Sequence, residues 1–198
     1  MKKLQIPLEG GKFYHVFNRG NNGDNLFYKP DNYRFFLHRL DQYLSEFIDV
    51  FAFCLLPNHF HMLVQIREQE ALHLQDAKPV KDPVSHAFHR LFTNYSKAMN
   101  KQEKRHGSLL ENPFKRKEVI DENYFTNLVF YIHANPQVHG ICEDFRMYPW
   151  SSYERILSGR PSKLKKKEVL AWFHDQENYV EYHDSKMDME KIRELIIE

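Results

Sequence analysis

The stretch that decides the fold is LLPNHFHMLV, residues 55–64, in which two histidines flank one large apolar residue. Its dense apolar residues follow a Pro-Asn turn signal, so the stretch predicts a β-strand. Side chains alternate across a strand, and His59 and His61 therefore project from the same face of the sheet. One interpretation is a half-buried strand that shows two polar residues to water. The other is a pair of imidazoles that bind a metal ion.

A second informative stretch is NYFTNLVFYIHANP, residues 123–136. It has no internal glycine or proline, and it predicts a helix that stops where Pro136 forbids continuation. Residues four apart share a helix face, so Tyr131 and Asn135 point the same way. A phenol and an amide one turn apart can together face two imidazoles, the amide as a metal ligand and the phenol as a nucleophile. Alternatively, Tyr131 is a core aromatic and Asn135 is a helix-terminal residue before a proline.

The remaining pattern alternates strands and helices. In order it predicts a strand over 11–18, a helix capped by Asp31, a strand over 47–55, the histidine strand, a flexible connector over 67–83, a helix over 84–100, a strand or hairpin over 107–120 and the tyrosine helix. This order suits an α+β, ferredoxin-like (RRM-like) sandwich, an antiparallel sheet with helices on one face. We expect one domain over 1–153 and a C-terminal helical extension over 154–198, with a helix-like pattern over 187–197.

The composition fits a globular protein and excludes several classes. With 42% hydrophobic and 15% aromatic residues, the 198-residue chain can bury a real core. The formal net charge is only +1, so any nucleic-acid contact must come from local basic clusters. Two cysteines without close spacing indicate neither a zinc site nor a disulfide framework, and a reducing cytoplasm fits best. No apolar run is long enough for a signal peptide or a membrane span, so we expect no membrane partner.

Four segments then occur in a fixed order: HVFNRG (15–20), LPNHFH (56–61), FYIHANP (130–136) and YPWSSY (148–153). In that order they resemble the single-tyrosine HUH transposases, and within that superfamily they look most like the REP-associated tyrosine transposases of bacteria. Together the segments cover roughly residues 12 to 153. The ferredoxin-like fold and a cytoplasmic, nucleoid-associated location follow as expectations from the resemblance.

The resemblance also implies roles for individual residues. The family's metal-binding histidines fall on His59 and His61, its nucleophilic tyrosine on Tyr131, and its third metal-binding side chain on Asn135. The implied cofactor is Mg²⁺ or Mn²⁺, which a mixed imidazole and amide set admits, although imidazole pairs by themselves also suit zinc, nickel or copper. Ala134 and residues 137–139 depart from the family's usual sequence.

The implied reaction is cleavage and rejoining of single-stranded, hairpin-forming DNA. Tyr131 would join to the 5′-phosphate and leave a free 3′-hydroxyl. A tyrosine with an ordinary pKa of about 10 is a poor nucleophile at neutral pH until a nearby cation or base helps to remove its proton. The same value makes it a competent leaving group when the 3′-hydroxyl attacks back, so one tyrosine can serve both directions.

The candidate DNA contacts are Arg19, Lys115, Arg116 and Lys117. The last three lie where the resemblance places a DNA-contacting strand shortly before the catalytic helix. Two further basic clusters, residues 101–105 and 163–167, are candidates, although such a cluster is most often only a solvated surface. Aromatic residues near these clusters, such as Tyr95 and Phe114, either stack on unpaired bases or belong to the core.

Three functions stay open at this point. The first is a DNA transposase, the second a domesticated nicking nuclease of REP-like repeats, and the third a catalytically inactive nucleic-acid-binding module. Retention of all four active-site residue types speaks against the third. The REP-associated branch implies a monomer with the tyrosine acting in cis, and a helix-exchanged homodimer is the alternative.

Overall fold

The computed structural model describes residues 6–68 and 82–185. Within these ranges the strands form one antiparallel sheet in the order β2-β3-β1-β4. The strands are β1 (Phe13–Arg19), β2 (Ile48–Leu56), β3 (His59–Ile66) and β4 (Lys115–Val119). The helices are α1 (Pro30–Leu44), α2 (Pro83–Gln102), α3 (Glu122–Val138), α4 (Tyr153–Leu157), α5 (Lys166–Trp172) and α6 (Gln176–Ser185). The predicted α+β, ferredoxin-like fold is confirmed.

Helices α1 and α2 cover one face of the sheet with an apolar core. Phe36 of α1 packs between Phe60 of β3, at 5.3 Å between ring centroids, and Tyr95 of α2, at 5.1 Å. The Tyr95 hydroxyl donates to the carbonyl of Leu26 at 2.8 Å, so its polar end is satisfied inside the core. Phe114 is buried in the same cluster. Tyr95 and Phe114 are therefore core residues and not exposed platforms for bases.

The predicted layer of helices on one face is present as α1 and α2, and the structure adds a second layer on the other face. There α3 packs on β2 and β3, where Cys54 and Leu63 share a buried cluster with Val129 and Phe125. Most residues of β2 and β3 are buried irrespective of which face they point to. A sheet that is apolar on both faces has to be covered on both. This second layer places the tyrosine helix against the histidine strand.

Two predicted helix ends are wrong, and both errors involve proline. Helix α3 continues past Pro136 to Val138. Pro136 has no amide hydrogen to donate to the Ile132 carbonyl, and the last turn nevertheless closes, with the His139 amide donating to the Asn135 carbonyl at 3.0 Å. Helix α1 begins at Pro30, a favoured first position, so Asp31 lies in the first turn and is not the cap.

One predicted strand is shorter in the structure, and two predicted segments lie largely or wholly outside the described residues. Within the predicted strand or hairpin over 107–120, the strand itself occupies only Lys115–Val119, with an isolated bridge between Leu110 and Gly20. Most of the predicted connector over 67–83 and all of the helix-like pattern over 187–197 lie outside the described residues. None of the helices that the structure describes is both long and apolar enough to cross a bilayer.

The segment after α4 packs against α3. Val169 of α5 and Tyr179 of α6 are fully buried in the cluster that α3 forms with the sheet. His133 of α3 contacts Nε2 of His183 through its Nδ1 atom at 3.0 Å, and its Nε2 atom contacts the Ser152 hydroxyl at 2.8 Å. Because Ser152 in turn accepts from the Phe53 amide of β2 at 2.9 Å, this buried network joins the C-terminal helices, α3 and the sheet.

Candidate active site

The histidine strand and its neighbour present alternate residues to α3. In the β1–β3 ladder Arg19 lies opposite His59, and Phe17 lies opposite His61. Because alternate residues share a face, both histidines point toward α3, while Phe60 points into the core on the other side. The two-residue turn between β2 and β3 puts Asn58 directly before His59.

His59 lies between two amide side chains and is only 8% exposed. Its Nδ1 atom contacts Oδ1 of Asn58 at 2.7 Å, and its Nε2 atom lies 3.3 Å from Oδ1 of Asn135 on α3. An amide oxygen only accepts hydrogen bonds, and a neutral imidazole has one hydrogen, so His59 can donate to only one of these two oxygens. With the hydrogen on Nδ1, toward the closer oxygen of Asn58, the Nε2 lone pair and the Asn135 oxygen are placed as two ligands of a cation.

His61 is 2% exposed and contacts a third histidine. Its Nδ1 atom lies 2.9 Å from Nε2 of His15 on β1. Its Nε2 atom is buried and has no hydrogen-bond partner among the described residues. Burial, with smaller contributions from neighbouring histidines, holds the pKa of His61 well below its usual value, so the ring is neutral at neutral pH.

Tyr131 lies beside these rings and is almost completely buried, at 1% exposure. Its ring lies nearly perpendicular to that of His61, with the centroids 5.3 Å apart and the planes at 80°, and a similar contact at 6.2 Å is made with His15. Asn135, one turn later, faces His59. The structure thus brings together Tyr131, Asn135, His59 and His61 within one chain.

A pocket of about 400 Å³ opens on this cluster. His59 and His61 contribute to its wall, and Tyr131 is not part of the lining. The other lining residues are Phe17, Asn18, Arg19, Asn25, Pro57, Asn58, Lys115, His139 and Ile141. The pocket combines basic, amide and apolar side chains, which are the groups that contact phosphate, sugar and base in a bound nucleic acid.

Two of the predicted DNA contacts, Arg19 and Lys115, line this pocket and share one carboxylate. Glu111 accepts a hydrogen bond from Nε of Arg19 and lies 3.1 Å from Nζ of Lys115. Burial raises the pKa of Glu111, but the hydrogen bonds and charges of its two basic partners outweigh burial and lower it. Glu111 is therefore ionised at neutral pH and offsets part of the positive charge at the pocket.

The other two predicted contacts lie on different faces of β4. Lys117 is opposite His15 in the ladder, on the α3 side, and its Nζ atom lies 4.2 Å from the Tyr124 ring centroid. Arg116 points to the opposite side, where its Nε atom donates to the Ile6 carbonyl and its guanidinium covers the Phe114 ring. The predicted basic run thus does not act as one patch, because neighbouring strand residues alternate faces.

Three pocket or site residues were missed in the sequence. His139 contacts His59 with 4.9 Å between ring centroids, and it continues the spacing of four set by Tyr131 and Asn135. That signal was hidden because the helix was predicted to stop at Pro136. His15 could be placed only by knowing the β1–β3 register, and Glu111 carries no sequence signal of its own.

The donor set restricts what this site can bind. No group of three or more His, Cys, Asp or Glu side chains suited to hold a metal ion occurs among residues 6–68 and 82–185. A metal site here therefore depends on the amide of Asn135 beside the two histidines. At Mg²⁺–oxygen distances of about 2.1 Å, neighbouring ligands in an octahedron lie about 3 Å apart, close to the separation of His59 and Asn135. His59 and Asn135 are thus spaced as two ligands of one divalent ion.

An antiparallel sheet with a His-x-His strand, set against a helix that carries a tyrosine and an amide, is the arrangement that the sequence resemblance predicted. No family model matches the chain. A curated protein of Haemophilus influenzae, "Putative REP-associated tyrosine transposase", is 25% identical over 133 residues, which cover 59% of this chain and 74% of that protein. The resemblance to the REP-associated tyrosine transposases is thereby confirmed.

A solved structure described as a REP-associated tyrosine transposase bound to a REP hairpin has the same fold. It superposes with a TM-score of 0.61 and covers 81% of this chain and 88% of its own. The sequence identity is 17%, so this likeness concerns the fold.

Proposed function

We propose that the chain is a transposase or endonuclease that cleaves and rejoins single-stranded, hairpin-forming DNA through a covalent Tyr131–5′-phosphate link. Similarity to the REP-associated tyrosine transposases supports this class of reaction, and the related structure with a REP hairpin supports hairpin DNA as partner. One observation carries the proposal: Tyr131 and Asn135 of one helix face His61 and His59 of one strand, at 5.3 Å between rings and 3.3 Å between atoms.

The metal-binding atoms in this proposal are Nε2 of His59, Nε2 of His61 and Oδ1 of Asn135. A buried polar atom without a partner costs about 1–3 kcal/mol, and Nε2 of His61 is such an atom among the described residues. A ligand that accepts its lone pair would remove this cost. Bound there, Mg²⁺ or Mn²⁺ would supply positive charge to the nonbridging oxygens of the phosphate.

The covalent step needs no redox partner. The Tyr131 oxygen forms a bond to phosphorus as the bond from phosphorus to the 3′ oxygen breaks, the phenol loses its proton, and the 3′ oxygen gains one. The reverse attack by a 3′-hydroxyl releases the phenol and reseals the strand. The chain's own contribution is to fix the phenol: the rigid helix α3 and the edge contacts with His15 and His61 hold its ring.

The test is formation of a covalent protein–DNA adduct on a hairpin oligonucleotide with Mn²⁺, detected on a denaturing gel. Tyr131→Phe removes only the hydroxyl, so we expect the adduct to vanish while hairpin binding persists. Tyr124→Phe is the matched control, since it removes a buried hydroxyl from the same helix and leaves the adduct yield unchanged. An undiminished adduct in Tyr131→Phe would overturn the assignment of the nucleophile.

A second candidate function is a DNA-binding module without catalysis. The burial of Tyr131 at 1% exposure, behind the pocket wall, favours this alternative. If this alternative is right, wild-type protein binds the hairpin tightly but forms no covalent protein–DNA adduct in the presence of Mg²⁺ or Mn²⁺.

The proposal includes a monomer with the tyrosine in cis, which the resemblance to the REP-associated branch implies. Mixing a Tyr131→Phe chain with a His59→Ala, His61→Ala chain tests it. In-cis chemistry leaves the mixture inactive, whereas restored cleavage would demonstrate an exchange of helices in a homodimer.

A further inference from the structure

His15 is a fully buried histidine that belongs to none of the predicted site positions. It lies on β1 opposite Leu63, which makes it the diagonal neighbour of His61 on the same face of the sheet. The Nε2 atom of His15 and the Nδ1 atom of His61 are 2.9 Å apart. With 5.1 Å between the ring centroids and 26° between the planes, the rings meet edge to edge, as an imidazole–imidazole hydrogen bond requires.

The two rings share one hydrogen in this contact. Both rings are almost completely removed from water, at 0% and 2% exposure, and burial of this kind favours the neutral imidazole. Each neutral imidazole carries one hydrogen, so two arrangements exist. Either His61 donates from Nδ1 and keeps a lone pair on Nε2, or His15 donates from Nε2 and His61 carries its hydrogen on Nε2.

Nothing in the described surroundings selects between these arrangements. The outer nitrogens of the pair, Nδ1 of His15 and Nε2 of His61, are both buried and lack a hydrogen-bond partner among the described residues. Phe17 stacks on both rings, at 4.7 Å from His15 and 5.6 Å from His61, and so restricts their rotation. The pair is held in place while its hydrogen can shift from one ring to the other.

We propose that His15 is a positioning residue that accepts the Nδ1 hydrogen of His61 and so leaves the His61 Nε2 lone pair for a divalent metal ion. The inference rests on the metal site in the proposed function and adds the residue that prepares it. A histidine ligand orients correctly only when its second nitrogen has a partner, and here that partner is a neutral imidazole and not a carboxylate or carbonyl.

The first test measures Mn²⁺ affinity by calorimetry, with no DNA present. His15→Phe keeps an aromatic ring against Phe17 but offers no acceptor, and we expect Mn²⁺ to bind about 10–100-fold more weakly. His15→Gln places an amide oxygen near the position of Nε2 and should restore most of the affinity. Tyr14→Phe, which removes the hydroxyl that the Glu9 amide contacts on the opposite face, is the matched control and leaves the affinity unchanged.

The second test reads the hydrogen directly and uses the wild-type chain, so it does not depend on a variant that folds. Nitrogen-15 NMR of the imidazoles, recorded with saturating Mg²⁺, should show the hydrogen of His61 on Nδ1. A His61 hydrogen on Nε2 in the loaded protein would overturn the inference.

The two possible failures differ. Equal Mn²⁺ affinity for wild type and His15→Phe, with loss of affinity in His59→Ala, would reject the role of His15 and keep the metal site. Wild-type protein whose Mn²⁺ binding is unaffected by His59→Ala would reject the metal site itself, and with it the inference.

Discussion

The two faces of the sheet use buried side chains in opposite ways. On the α1/α2 face, Phe36, Phe60 and Tyr95 pack ring against ring, and the Tyr95 hydroxyl has its acceptor. On the α3 face, His15 and His61 are equally buried, yet each has a nitrogen atom without a partner among the described residues. Both faces belong to the same four strands.

The difference separates a face whose buried rings stabilise the fold from a face on which two buried imidazoles lack partners among the described residues. Buried polar atoms in folded proteins are nearly always hydrogen-bonded, and exceptions need an explanation. A satisfied apolar face gains free energy from burial, whereas a face with uncompensated imidazoles gives some of it up. Such a loss is expected where a ligand supplies the missing partner.

The largest expected effect contrasts the two faces directly. Phe60→Ala removes a buried ring from the α1/α2 core and should lower the free energy of unfolding by about 3–5 kcal/mol. The double variant His15→Leu, His61→Leu removes both partners of a hydrogen bond and two uncompensated nitrogens, so its stability should stay near wild type or rise. Urea unfolding measures both. A double variant as damaged as Phe60→Ala would mean that the imidazoles serve mainly the structure.

The next effect is the response of the α3 face to acid. Burial lowers the pKa of His183 to about 4, against about 6.5 in the unfolded chain. Between these values the unfolded chain binds more protons, so the free energy of unfolding falls as the pH drops from 7 through 6.5 toward 4. For His183 alone the loss at pH 5 is about 2 kcal/mol.

Urea unfolding at pH 7 and pH 5 checks this pH dependence. His183→Phe should lessen the difference between the two pH values, because the variant has no imidazole to protonate at that position. Replacing the exposed His38 by glutamine should leave the difference as it is. An identical pH dependence in wild type and His183→Phe would contradict the prediction.

The smallest effect concerns the mouth of the pocket. Glu111→Gln removes a carboxylate that pairs with Arg19 and Lys115, so hairpin DNA should bind several-fold more tightly. The affinity should also fall more steeply with salt concentration, by about the slope that one additional phosphate contact gives. Glu118→Gln, which removes a carboxylate paired with Lys12 on the opposite face, is the control. Fluorescence anisotropy at several salt concentrations measures this. An unchanged affinity would place the DNA backbone elsewhere.

Local patterns predicted much of this molecule. The His-x-His alternation and the spacing of Tyr131 and Asn135 each depend only on neighbours along the chain, and the structure shows both geometries. What the pattern missed depends on pairing between distant segments. The contact of His15 with His61 needs the β1–β3 register, and the Glu111 contacts need a loop to return to β1. The helix end at Pro136 failed differently, because proline disfavours a continued helix without forbidding it, and here the turn that follows still closes.

The network of His133, Ser152 and His183 has a practical consequence for protein engineering. A truncated chain that ends at residue 153 would remove His183 and uncover the face of α3 opposite the site, leaving the buried imidazole of His133 without that partner. A fusion tag or a circular permutation junction inserted after residue 153 would divide the packed interior in the same way. Such junctions belong beyond α6, since α3, which carries Tyr131, packs between the sheet and the C-terminal helices α5 and α6.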